Sequence, residues 1–179
     1  MSTPVSVPAL DQAAAPVFRA LDRDEIHDLL ARNHVGRLAF ARGNHVDLEP
    51  VHYVYDGGWI YGRTSPGAKL DATGEQWWPV AFEVDEIEGL FRWKSVVVHG
   101  GFYTILPQRG TGEQAQWEHA VAVLRRLVPE AFTDADPTPF RNVVFRIAVQ
   151  EASGRAAESA PGDPPSAALS GTIREPAEP

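Results

Sequence analysis

The chain has no cysteine among its 179 residues, which removes disulfides, thiolate metal sites and thiol chemistry together. It is also short of positive charge: 16 Lys and Arg stand against 24 Asp and Glu, a net charge of −8. Binding to nucleic acid through a general basic surface is therefore not expected, because phosphate neutralisation supplies most of that affinity. No apolar run approaches the ~18 residues of a membrane-spanning helix, and the first residues lack the basic-then-apolar order of a secretory signal. The expectation is a soluble, cytoplasmic protein with neither a membrane nor a nucleic acid as partner. The histidines fall at no metal-ligand spacing, and His45 and His52 would face opposite sides of one strand; no metal site is expected. Walker and Rossmann glycine loops are absent, as is the Gly-x-Ser-x-Gly elbow of the α/β-hydrolases.

What is present argues for one domain between two tails. Residues 1–17 carry Pro4, Pro8, Pro16 and the Ala13–Ala15 run, with no periodic apolar face, and read as a flexible N-terminal segment. Residues 153–179 are mostly Pro, Ala, Ser and Gly, with Leu169 and Ile173 as their large apolar groups. Such a stretch buries too little to offset its ordering entropy, so it reads as a disordered tail or one lying along a partner subunit. The folded domain is expected over 18–152.

Within that domain two helices and six strands stand out. Asp22-Arg23-Asp24-Glu25 is a capping box, followed by Ile26, Leu29 and Leu30 on one face and a stop at Asn33. Thr111-Gly112-Glu113-Gln114 repeats the signature before Trp117, Ala120, Val121, Leu124, Leu127 and Val128, the strongest helical period in the chain, which Pro129 ends. Strands are expected at Gly36–Ala41, Val46–Tyr55, Trp59–Thr64, Val80–Ile87, Lys94–Leu106 and Asn142–Glu151. Asp56-Gly57-Gly58 and Arg42-Gly43-Asn44 are hairpin turns between them. Strands arriving in succession, with few helical interruptions, imply an antiparallel sheet that closes or nearly closes.

Three segments could carry chemistry. In Tyr61–Lys69 a strand ends in Arg63 and Thr64, turns through Ser65, Pro66 and Gly67, and reaches Lys69. Two cations, two hydroxyls and several turn N–H groups suit a phosphate monoester; the plain alternative is a solvated polar turn. In Glu49–Tyr55, Pro50 removes a ladder donor, so the strand must lie at an edge or bulge, leaving backbone groups to a planar heterocycle or simply forming an ordinary edge. In Phe91–Gly100, Trp93 could stack on an aromatic ligand with Lys94 and Ser95 at its rim, or be a core residue. Glu83, Asp85, Glu86 and Glu88 read as a solvated strand end.

The order of these segments resembles the pyridoxamine 5′-phosphate oxidase-like family of FMN-binding split β-barrels, in particular its nitroimidazole-resistance-protein-like branch. The matching text is Gly36–Phe40, Pro50–Gly57, Ile60–Ser65 with Gly67 and Lys69, Val80–Asp85, Trp93–Gly100, and Val144–Ile147 leading to Gly154 and Arg155, about residues 18–155 in all. The resemblance implies a mainly β fold, a six-stranded antiparallel split β-barrel of the FMN-binding type with flanking helices. It implies a homodimer with FMN in a cleft between subunits. Arg63, Thr64, Ser65 and Lys69 would hold the flavin phosphate, the backbone around Val51, His52 and Tyr53 would meet the ring edge, and Trp93 with Ser95 would approach from the other side. Some resistance-protein members carry His where this chain has Arg63, and the second basic cluster that pyridoxamine phosphate itself would need is missing. Relatives exchange FMN for F420 or haem. The implied activity is electron transfer from a reduced nicotinamide to a small-molecule substrate, with a non-catalytic flavin, F420 or haem carrier or sensor as the alternative. No catalytic residue is assigned; His52 and Tyr53 are the candidate proton donors.

Overall fold

The computed structural model describes residues 15–42, 44–66, 78–107 and 111–158. Its elements are β1 (Val17–Ala20), α1 (Arg23–Arg32), β2 (Val35–Arg42), β3 (His45–Asp56), β4 (Trp59–Thr64), β5 (Trp78–Gly89), β6 (Arg92–Ile105), α2 (Thr111–Leu124) and β7 (Val143–Glu158). Every strand pairing is antiparallel. The strands run β7-β4-β3-β2-β5-β6, and β6 pairs back onto β7, so the six-stranded ring expected from the sequence closes. β1 is a seventh strand. It attaches to the far half of β7, pairing Val17 with Glu158 and Ala20 with Arg155.

That attachment corrects the expected domain limits at both ends. Val17 belongs to β1 rather than to a loose N-terminal segment, and β7 continues to Glu158 instead of giving way to a tail at 153. The residues 153–158 lack large apolar groups, but their backbone pairs with β6 on one side and β1 on the other. Gly154 also leaves room for Leu21, whose side chain would meet an added Cβ at 2.8 Å, and Leu21 N–H donates to the Gly154 carbonyl. Ala156 and Ala157 are buried.

Strand alternation sorts side chains into two cores. Leu38, Phe40, Tyr53, Ile60, Phe82, Phe102 and Phe145 fill the first, to which α1 adds Ile26, Leu29 and Leu30. The alternate residues Val54, Tyr61, Ile105 and Val144 form the second with Ala120, Val121, Val123 and Leu124 of α2. α1 begins with the expected capping box: Glu25 N–H donates to Asp22 Oδ1 at 2.9 Å and Asp22 N–H to Glu25 Oε2 at 3.0 Å. At its other end Asn33 Nδ2 donates to the Leu29 carbonyl.

α2 departs from expectation at its C-terminal end. Near its start, Gln114 Nε2 donates to Glu118 one turn on. The helix stops at Leu124, where the chain tightens through Arg126 and Leu127 N–H bonds to Val123 and Leu124, so Leu127 and Val128 belong to a closing turn that leads into the segment 129–142.

Candidate functional site

β3 and β4 are joined by the two-residue turn that Asp56-Gly57-Gly58 predicts. Gly57 and Gly58 have φ of 57° and 83°, the left-handed conformation that a tight hairpin with the native twist requires. The resulting register sets Tyr53 opposite Gly62. Gly62 has no side chain for a packing reason: a Cβ there would lie 2.2 Å from the tip of the Phe145 ring. The next residues outward, His52 and Arg63, lie side by side on the face opposite Tyr53. From His45 to His52, β3 pairs among the described residues with β2 alone, so Val51 and His52 lie at an edge of the described sheet, as Pro50 suggests.

The segment that follows α2 folds down over this point. His52, Arg63, Thr138 and Arg141 supply the polar part of a cavity of about 160 Å³, walled by Leu124, Leu127 and Pro137 among others. Arg63 is buried beneath it, 8% exposed, and Asp136 is 3% exposed. Both terminal nitrogens of Arg63 are used: Nη1 donates to Asp136 Oδ2, and Nη2 donates to Asp136 Oδ1 at 2.9 Å and to Thr138 Oγ1 at 2.8 Å. Asp136 accepts two more bonds, from Phe132 N–H at 2.8 Å and Thr138 N–H at 2.9 Å. The Arg63 hydrogen bonds, with those two N–H groups, hold the carboxyl of Asp136 well below the usual carboxylate range. Phe132 has φ of 60°, an uncommon conformation for a bulky residue. It is kept there by its bond to Asp136, by Trp117 edge-on at 5.8 Å, and by the Arg63 guanidinium 5.4 Å above its ring.

The residues expected to share one site are thus distributed. His52 and Arg63 come together, with Thr64 half-buried and Ser65 exposed at the end of β4. Lys69 lies outside the described residues. Val51 is buried against the barrel core. Tyr53 points the other way: its ring is in the barrel, its hydroxyl donates to the Leu30 carbonyl at 2.8 Å, and its N–H donates to the His34 carbonyl. Burial raises the pKa of that phenol. Tyr53 is therefore withdrawn as a proton donor, and His52 is the member of the pair that faces the cavity.

Trp93 and Ser95 are at the opposite end of the barrel. On β7, Arg63 is paired with Val144, whereas Trp93 is paired with Ala157 and Ser95 with Arg155. Trp93 borders a separate cavity of about 300 Å³ with Glu86, Arg92 and Lys94, and tilts against Phe18 at 6.3 Å. Ser95 Oγ donates to Glu83 at 3.1 Å. Of the neighbouring acidic residues, Glu83, Asp85 and Glu86 are paired rather than merely solvated. Arg37 bonds Glu83 and Asp85, while Arg32 and Asn33 bond Glu86. Hydrogen bonds from Arg32 lead in lowering the Glu86 pKa to about 2. Among the described residues no group of three His, Asp or Glu is arranged to hold a metal ion, and no helix is long and apolar enough to cross a membrane.

Sequence reasoning missed Asp136, Thr138 and Arg141. Asp136-Pro137-Thr138 carries a local signal, an Asx turn in which Thr138 N–H returns to the Asp136 carboxylate, but nothing local connects it to Arg63.

A family model described as pyridoxamine 5′-phosphate oxidase matches residues 22–156. A crystal structure of an FAD-binding protein from Mesorhizobium loti is 30% identical, with a TM-score of 0.62, and the match covers 80% of this chain and 99% of that one. An uncharacterized protein of Rhizobium meliloti is 26% identical over 151 residues, 78% of this chain and 95% of the relative. A Bacteroides thetaiotaomicron structure named for 5-nitroimidazole antibiotic resistance is 14% identical, with a TM-score of 0.61, covering 81% of this chain and 90% of that one; at that identity the likeness is one of fold.

Proposed function

Because the chain belongs to the pyridoxamine 5′-phosphate oxidase family of flavin-binding folds, we propose that it is a homodimeric oxidoreductase that binds a flavin nucleotide, FMN or FAD. The observation that carries this reading is the cavity beside the β3 edge, where His52 and Arg141, an arginine with no carboxylate partner among the described residues, gather in a protein of net charge −8. A cavity of about 160 Å³ is below the ~300–1,000 Å³ of sites that enclose a whole ligand of this kind. It suits an anionic end of the cofactor. The flavin ring would lie along the edge at Val51 and His52, and a second copy would complete its site with Trp93 and Ser95.

When bound, the flavin supplies the transfer of electrons from a reduced nicotinamide to a small-molecule acceptor. The chain's own part is to bind, orient and shield. Leu124, Leu127 and Pro137 exclude water from one wall. Arg141 Nη1 approaches His52 Nδ1 at 3.5 Å; a guanidinium can only donate, so this contact suits the His52 tautomer with its proton on Nε2. With Tyr53 locked in the barrel, His52 is the proton donor that the lining of this cavity offers.

The test is a visible absorption spectrum of the purified chain after incubation with excess FMN or FAD and desalting, repeated on adding NADH or NADPH. Retained flavin bands that bleach with the nicotinamide, in a particle of about twice 19.6 kDa, are expected. Retained bands that do not bleach would replace turnover with a carrier or sensor role. A Soret band would point to haem. A colourless protein that takes up F420 instead would overturn the choice of cofactor.

A further inference from the structure

Two arginines reach the cavity below α2, and their charges are committed differently. Arg63 spends both terminal nitrogens on Asp136 and Thr138. The Asp136 carboxylate cannot easily step aside, because the N–H groups of Phe132 and Thr138 anchor it independently of Arg63. A phosphate arriving at Arg63 would therefore meet a fixed anion of its own sign. Arg141 is half-buried, lies 5.9 Å from the Phe140 ring, and has His52 as its polar side-chain contact at a long 3.5 Å. Among the described residues it has no carboxylate partner. Its backbone N–H donates to the Thr138 carbonyl, so the turn that presents it is the one pinned by Asp136 and Arg63.

We propose that Arg141, and not Arg63, is the cation that binds the phosphate of the flavin nucleotide in this cavity; the inference rests on the flavin reading above. The planar fork of Arg141 suits a phosphate, and the apolar wall beside it lowers the local dielectric in which the charge acts. Arg63 is then a positioning residue. Together with Asp136 it fixes residues 132–141 so that Arg141 stands at the mouth of the cavity beside His52.

The experiment compares dissociation constants of riboflavin, which has no phosphate, with those of FMN and FAD for the full chain, read by quenching of flavin fluorescence. The wild type is expected to prefer the nucleotides. Arg141→Ala should weaken FMN about 10–100-fold, the loss of one charge-assisted phosphate contact, with riboflavin binding unchanged, and Arg141→Lys should recover part of the preference. Arg63→Lys, which keeps a cation opposite Asp136 but disturbs the turn that presents Arg141, should lower the melting temperature and weaken FMN less than Arg141→Ala does. The inference is overturned if Arg141→Ala retains the wild-type ratio, if Arg63→Lys reduces that ratio more than Arg141→Ala does, or if the wild type binds riboflavin as well as FMN. The last result would leave the flavin reading standing. A wild type that binds no flavin at all would overturn that reading and this inference with it.

Discussion

The two ends of the barrel use the same chemistry, arginine against carboxylate, at very different depths. At the β4 end the Arg63 and Asp136 side chains are 8% and 3% exposed and make five hydrogen bonds to each other and to their surroundings. At the β5–β6 end Arg32 and Glu86 are 47% and 33% exposed, and Arg37 and Glu83 are 45% and 32%. A buried pair is weak evidence for added stability but is costly to break, because the surviving partner is left charged without water. An exposed pair contributes little whichever member is removed. The same residue types therefore make a lock at one end and a trim at the other.

The sharpest way to break the comparison is Asp136→Ala. It leaves the Arg63 guanidinium buried without a counter-charge and strips acceptors from the Phe132 and Thr138 N–H groups. A fall in melting temperature of roughly 10 °C or more is expected. Replacing both partners with apolar residues, Arg63→Met with Asp136→Leu, should recover much of the loss, since the cost lies in the orphaned charge. Scanning calorimetry of the three proteins decides the matter. Equal destabilisation by the single and double variants would mean that the pair itself, rather than its asymmetry, supports the segment.

Next in size is Gly62→Ala, one residue before Arg63. The added Cβ would lie 2.2 Å from the Phe145 ring, which is stacked on Phe102 at 4.9 Å inside the barrel. Overpacking of this kind costs about 3 kcal/mol, to be read from denaturant unfolding. Phe145→Leu in the same chain should return part of it. If Gly62→Ala were neutral, the β4 end would be softer than its burial implies, and the argument that it positions Arg63 would weaken.

Much of this architecture is legible in the sequence, for identifiable reasons. Alternating strands, the Asp56-Gly57-Gly58 turn and the Asp22–Glu25 box are local signals, and each appears where expected. The end of β7 is not legible, because it is held by backbone pairing to β1 and β6 and by the fit of Gly154 to Leu21, none of which shows as apolar periodicity. Arg63 is recognisable as a residue seeking an anion. The sequence does not say that its anion is Asp136, contributed by a distant part of the same chain, nor that Tyr53 is the side of the strand turned inward and His52 the side turned out. Trp93 and Ser95 illustrate the same limit: their order along the chain gives no measure of how far they lie from Arg63 within one subunit.

The smallest effect belongs to the exposed end and is best seen with acid. Glu86 has its pKa lowered to about 2, first by hydrogen bonds from Arg32, against ~4.3 in an unfolded chain. A carboxyl whose folded pKa is depressed adds stability that is present above the unfolded value and is lost as pH falls through the folded one. The contribution of Glu86 should therefore be intact near neutrality, decline below about pH 4.3, and be gone near pH 2. With Glu86 a third exposed and its partner more so, solvent screening keeps it to about 1 kcal/mol or less. Denaturant unfolding of wild type and Glu86→Gln should show that small gap at pH 7 and its closure near pH 2. Glu25 and Asp136 also lose their charge in acid, but they do so in both proteins and cancel in the difference. A gap that persisted unchanged into acid would mean that Glu86 acts through packing or its hydrogen bond to Asn33 rather than through its charge, and the exposed end would then resemble the buried one more closely than its solvent contact suggests.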